Sequence, residues 1–245
     1  KRNDRKERRT MIKHVLFDLD GTLLPMDQDE FTKGYFQILC KKMLPYGYDP
    51  NILSGAIWKG TGAMVANDGS VTNEEAFWIA FSNLLGNRVL EHRYLFEEFY
   101  ANEFDGGQVF CGCNPLAAET VSFAREKGYS VALATNPLFP RIATEKRIRW
   151  AGCNVEDFEL ITCYEDSFHC KPNPDYYREV LERLDWKPEE CLMVGNDVTE
   201  DMVAATVGMQ VFLLTDCLIN KEHADISVYP QGGFAELQQY LGACQ

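Results

Sequence analysis

His14-Val15-Leu16-Phe17-Asp18-Leu19-Asp20-Gly21-Thr22 is the stretch whose reading decides the fold. Val15, Leu16 and Phe17 make a continuous apolar run, the pattern of a strand buried on both faces of a parallel sheet. The run ends in two carboxylates at i and i+2, followed by glycine. Alternate residues of a strand point to the same side, so Asp18 and Asp20 can project into one site, and Gly21 permits a sharp turn behind them. Strand carboxyl ends are where open α/β sheets bind ligands. Two anions this close call for a cation, and magnesium, which prefers carboxylate oxygens and retains waters, suits them. Asp and Gly are also common turn residues, so the stretch alone fits an Asp-Gly turn equally well.

DLDGT resembles the first signature motif of the haloacid dehalogenase (HAD) superfamily of phosphohydrolases, and three later segments bear on that resemblance. Tyr129 to Ala134 reads as a buried strand ending in Thr135-Asn136. Small neutral donors at a strand end before a helix suit anion binding, and the position resembles the second motif. Lys171-Pro172-Asn173-Pro174 sets a lysine on a stiff support just before a helix running to about Leu184, which resembles the third. Cys191 to Val194 is another buried strand, ending in Gly195-Asn196-Asp197 with Asp201 four residues on, and resembles the fourth. Each motif alone has a bland reading: a turn, a surface lysine, or acids that complement a helix dipole. Glu200 is given that last reading. All four in order, each at an apolar segment's end, cover about Met11 to Leu214.

Between the first motif and Cys113 the sequence offers amphipathic helical patterns and no buried strand. Asp27 to Leu44 reads as one helix, with Phe31, Tyr35, Ile38, Leu39 and Met43 at helical spacing. Ile52 to Trp58 is a shorter candidate stopped by Gly60. A third is capped by Asn73, with Phe77, Ala80, Phe81 and Leu84 on one face. Val89 to Phe104 is a fourth, with Leu90, Tyr94, Leu95, Phe99 and Ala101 turned inward. The remaining strands are expected at Phe158 to Cys163 and Gln210 to Leu214, with helices at Pro115 to Lys127, Pro140 to Ala151 and Phe234 to Leu241. The expected fold class is α/β: a doubly wound, Rossmann-like parallel sheet core (11–22 and 114–245) with an inserted α-helical cap domain (23–113), as in one large class of the superfamily.

Net charge is −13, and the first ten residues, with six basic and two acidic side chains, leave −17 on the rest. That surface repels phosphate backbones, so no nucleic-acid partner is expected. No window has the roughly 18 apolar residues of a membrane span, so no membrane association is expected. Lys1 to Thr10 reads as a disordered tail, with Met11 as the natural start. Nine cysteines, odd in number and without a CxxC pair, read as free thiols in a reducing, cytoplasmic setting.

The resemblance implies a Mg2+-dependent phosphohydrolase acting on a small phosphorylated metabolite through an aspartyl-phosphate. Asp18 would be the nucleophile and Asp20 the general acid and base. Asp18, the carbonyl of Asp20, and Asp197 would hold the metal. Thr135, Asn136 and Lys171 would hold the phosphoryl oxygens, and Asp201 would orient Lys171 or the metal's waters. Lys59, Thr61 and Asn67, around the turn WKGTGAM, are the expected cap specificity residues. The alternatives are a β-phosphoglucomutase-like phosphomutase, a phosphonatase using a cap lysine, and a non-catalytic binding protein of the same fold. Against the last stands the presence of Asp18, Asp20, Lys171 and Asp197.

Overall fold

The computed structural model describes residues 11–244; the expected disordered tail, 1–10, lies outside the described residues. Five parallel strands form one sheet: β1 (His14–Phe17), β2 (Ser130–Leu133), β3 (Cys191–Gly195), β4 (Gln210–Leu214) and the two-residue β5 (Gln231–Gly232), in the order β2-β1-β3-β4-β5. β1 is an interior strand, with Phe17 registered against Leu133 on one side and Val194 on the other. The alternation of a strand decides which face each residue serves. Val15, Phe17, Val131, Leu133, Leu192 and Val194 join one apolar cluster, while Leu16, Ala132, Cys191 and Met193 join the other. Both faces are therefore covered, as the unbroken apolar runs require.

Helices α6 (Pro115–Glu126), α7 (Arg141–Trp150) and α9 (Phe234–Ala243) supply the first cluster, and α8 (Pro174–Leu184) the second. All four match the sequence reading within two residues. The segment Phe158–Cys163 does not form the expected full strand. Ile161 makes a single parallel bridge to Leu133, and the amides of Glu159 and Thr162 donate to Val131 and Leu133. Tight turns on either side leave this edge too short to extend the ladder.

Between β1 and β2 lie α1 (Gln28–Met43), α2 (Pro50–Val65), α3 (Asn73–Leu85), the one-turn α4 (Arg88–Glu91) and α5 (Arg93–Asn102). Asp27 caps α1 by accepting from the amides of Asp29 and Glu30. α2 begins at Pro50 behind the cap Asp49 and runs straight through Gly60. The glycine does not stop the helix because it serves packing: a Cβ there would collide with the Phe77 ring of α3. Thr72, not Asn73, caps α3 and completes a capping box with Glu75. The fourth expected helix is broken at His92 into α4 and α5, and 104–110 tightens into a 3-10 segment. Leu95 and Phe99 are buried there as expected, whereas Leu90, Tyr94 and Ala101 face solvent, as does Leu84 of α3.

These helices share the first apolar cluster with the sheet, through Phe31, Tyr35, Phe81, Phe99 and Phe104. Two linker segments join them to the sheet side by side: Met26 bridges Cys111, and the Gly112 amide donates to the Pro25 carbonyl at 2.7 Å. Asn73, fully buried, adds a polar tie. Its amide donates to the Ser167 carbonyl, and its side-chain nitrogen reaches the His169 carbonyl, just before Lys171.

Candidate active site

Asp18 leaves β1 with its amide bonded to the Val194 carbonyl, so the strand pairing itself fixes where its carboxylate starts. One oxygen, Oδ1, accepts from Lys171 Nζ at 2.9 Å; the other, Oδ2, lies 3.1 Å from the Thr22 hydroxyl, which also sits 2.9 Å from Asn196 Oδ1. Gly21 makes this possible: its φ is +85°, and a side chain there would strike Asn196. Lys171 is 1 % exposed and also donates to Asp201 Oδ1 at 2.6 Å. Burial opposes the ammonium, but the Asp18 and Asp201 carboxylates outweigh it, and its pKa sits well above the usual amine value. Asp201 Oδ2 in turn accepts the Asp197 amide at 2.9 Å. The ends of β1 and β3 and the turn before α8 thus meet in one charge-matched chain.

Asn136 closes the arrangement from β2. Its Oδ1 accepts the Lys171 amide at 3.2 Å, and its Nδ2 donates to Glu200 Oε2 at 3.1 Å. Thr135 is buried, its carbonyl accepting from the Thr162 hydroxyl at 2.7 Å and the Tyr176 hydroxyl at 2.8 Å, which fixes the backbone of the β2 end. Asp20 is held apart from the lysine. Its Oδ2 is paired with the guanidinium of Arg147 on α7, and its Oδ1 is buried without a hydrogen-bond partner. Burial raises the Asp20 pKa, Arg147 opposes the rise, and the neighbouring Asp18 charge adds to it. Arg147, 1 % exposed, lies with its guanidinium 4.2 Å from the Phe139 ring centroid.

The haloacid dehalogenase-like hydrolase family model matches residues 12–207, which spans all four motifs. The chain belongs to this family. It is 29 % identical over 200 residues to phosphoglycolate phosphatase of Pectobacterium atrosepticum, covering 81 % of this chain and 78 % of that one. It is 26 % identical over 235 residues to glyceraldehyde 3-phosphate phosphatase of Methanothermobacter thermautotrophicus, covering 86 % and 89 %. The HAD-hydrolase YfnB of Bacillus subtilis, solved bound to magnesium and described as revealing interdomain movement, superposes with a TM-score of 0.56 at 19 % identity, over 95 % and 99 % of the chains. The protein is an enzyme, a HAD-like phosphatase.

Its donors fit a hard cation. Among the described residues no cluster of three His, Cys, Asp or Glu side chains makes a ready cage. The strand ends offer two carboxylates instead, Asp18 and Asp197, together with the Asp20 carbonyl. Asp197 Oδ1 is pinned by the amides of Thr199 at 2.8 Å and Glu200 at 3.0 Å, which orients the group. Such a short oxygen set suits an ion that keeps several of its waters.

The three residues expected at the cap do not converge. Lys59 is exposed on α2, and Asn67 is spent on its own loop, donating to the Val71 carbonyl and Asn73 Oδ1 at 2.9 Å each. Thr61 lines a cavity inside the helical layer. Two residues in contact with this strand-end arrangement escaped the sequence reading. Glu200 is not a solvated helix-dipole acid: it bonds Asn136, and burial raises its pKa to about 7 against the opposing Lys171 charge. Arg147 had a readable signal, because Ala143, Thr144, Arg147, Ile148 and Ala151 form one buried helical face.

Proposed function

We propose that this HAD-like phosphatase hydrolyses the phosphate monoester of a small metabolite through an aspartyl-phosphate on Asp18, with magnesium. The observation that carries the reading is Lys171 Nζ set between the Asp18 and Asp201 carboxylates at the end of β1. A carboxylate needs no base to become nucleophilic, but a phosphate dianion repels it. Asp18, Asp197 and the Asp20 carbonyl would hold the metal, which supplies charge neutralisation at the phosphoryl oxygens. Lys171 adds a second positive charge beside Asp18, while Asp201 keeps the ammonium aimed. Thr135 and the Asn136 amide would receive the remaining phosphoryl oxygens at the end of β2.

Asp18 Oδ attacks phosphorus and the bond to the ester oxygen breaks, with Asp20 donating its proton to the leaving oxygen. Asp20, now a carboxylate, takes a proton from water; the water oxygen attacks phosphorus, and the Asp18–phosphorus bond breaks to release phosphate and restore Asp18. The opposed influences on Asp20, burial against Arg147, favour a group able to serve in both directions. Residues 23–113 would act as a cap that opens and closes, an assignment supported by the two adjacent linkers at Pro25–Met26 and Cys111–Gly112. A cytoplasmic setting is supported by nine cysteines, all free thiols. No helix of the described residues is long and apolar enough to cross a membrane.

The test is phosphate release from a panel of sugar, nucleotide and short-chain phosphate esters, with magnesium and with EDTA. Metal-dependent release is expected. Release of an isomeric phosphate from a hexose 1-phosphate without free phosphate would convert the assignment to a mutase.

A further inference from the structure

A cavity of about 520 Å³ lies inside the helical layer, and neither Asp18, Asp20 nor Lys171 lines it. Its size is that of a small-molecule site. Four helices wall it with aromatic rings, including Tyr35 of α1, Trp58 of α2, Trp78 of α3 and Tyr100 of α5. The wall toward the sheet is Leu138-Phe139-Pro140, the loop that leaves β2 directly after Thr135-Asn136. Phe139 carries the Arg147 guanidinium on its ring, and Arg147 pairs with Asp20. Phe139 and Arg147 therefore link the cavity wall to Asp20, the group that would protonate the leaving oxygen.

The charges of the lining exclude one class of occupant. Glu74, Glu97 and Glu165 are present, and Arg93 is the single cation of the lining among the described residues. Arg93 is already paired with Glu74 and, at 3.4 Å, with Glu97, while its guanidinium lies over the Trp78 ring. Glu165 accepts the Arg141 amide and so caps α7. No cation is left over to receive a carboxylate. Donors are also present: the Tyr35 and Tyr100 hydroxyls share one bond of 2.7 Å, and the buried Trp78 Nε1 meets no acceptor in bonding geometry, with the Tyr164 hydroxyl beside it. Buried donors of this kind reward a ligand that brings an acceptor.

We propose that this cavity receives the organic group of the phosphate ester and selects a bulky aromatic or apolar group, uncharged or cationic, over a small one bearing a carboxylate. This rests on the phosphohydrolase reading above. The enzyme therefore parts from the substrate named for its phosphoglycolate phosphatase relative, whose organic group carries a carboxylate.

The experiment compares kcat/KM for 2-naphthyl phosphate and 2-phosphoglycolate with magnesium, in the wild type, in Thr61→Phe and in Thr32→Phe. Both threonines are partly exposed lining residues on different helices, so one variant serves if the other fails to fold. Quenching of tryptophan fluorescence by 2-naphthol in EDTA gives a second readout, independent of turnover. The wild type is expected to favour the naphthyl ester at least ~tenfold, and a filled cavity to cut that ratio and weaken naphthol binding by about the same factor. A ratio near or below one, or a ratio unmoved by both variants, overturns the proposal. Absence of phosphate from both esters and from every member of the panel above overturns the phosphohydrolase reading instead. In that case naphthol quenching lost on filling the cavity upholds the ligand class, and no quenching in the wild type overturns it.

Discussion

The strand-end site and the helical layer above it are built on opposite principles. At the strand ends, buried charges are matched group by group: Asp18 and Asp201 to Lys171, Asp20 to Arg147. Backbone pairing of a parallel sheet fixes where each side chain begins. In the helical layer the residues that set the shape are rings, such as Tyr35, Phe81, Phe99 and Phe104, packed edge to face. The lesson is that one region is specified by electrostatics and register, and the other by volume. On the proposed reading, chemistry belongs to the first and choice of substrate to the second.

Removing Asp18, the proposed nucleophile, tests that division most severely. Asp18→Asn should lower kcat by a factor on the order of 10⁴ or more, while circular dichroism and thermal melting stay near wild type. Lys171→Met should also cripple turnover, but with a structural cost: two carboxylates are left face to face, and losing one partner of a buried pair costs roughly 3–5 kcal/mol. Without the ammonium those acids gain protons on folding, so their destabilisation grows as pH rises. Denaturant melts at pH 5 and pH 8 should therefore show the larger deficit at pH 8.

Phe81→Ala probes the other region. Phe81 is fully buried, and its loss should cost roughly 3–5 kcal/mol in stability, with kcat toward a small ester changed far less than in Asp18→Asn. Glu200→Gln has a smaller effect with a definite sign. The folded-state pKa of Glu200 is raised to about 7, so the folded protein holds a proton that the unfolded chain releases nearer its ordinary value. Its contribution to stability is present at low pH and lost as pH rises through about 7. The metal-free variant should then be more stable than wild type at pH 8 by roughly 1–3 kcal/mol and show a flatter profile between pH 5 and 7. Lys59→Ala should do least: the side chain is exposed on α2, away from the cavity, and KM should stay within about twofold.

The same contrast decides what the sequence disclosed. β1, β3 and β4 were legible because each is an apolar run buried on both faces, and Asp18, Asp197 and Lys171 because they sit where such runs or a proline-stiffened turn deliver them. The helical layer was legible as helices but not in its details. Gly60 read as a stop, yet it is a packing contact with Phe77. Leu90 and Tyr94, on either side of the break at His92, read as inward because their apolar character guided the reading, whereas the break sets the phase of each short helix separately. Phe158 to Cys163 carried strand composition without the neighbours to extend it. Arg147 was hidden among four basic residues of one helix, and only the buried face running from Ala143 to Ala151 singles it out.

The central claim is a covalent bond to one carboxylate. The direct test is to quench the enzyme during turnover with magnesium and a good ester, reduce with borohydride, and locate the modified residue by mass spectrometry. The account predicts that an acyl phosphate at position 18 is reduced to homoserine there, with the signal absent in EDTA. Turnover with position 18 unmodified, or modification at another acid, would contradict it.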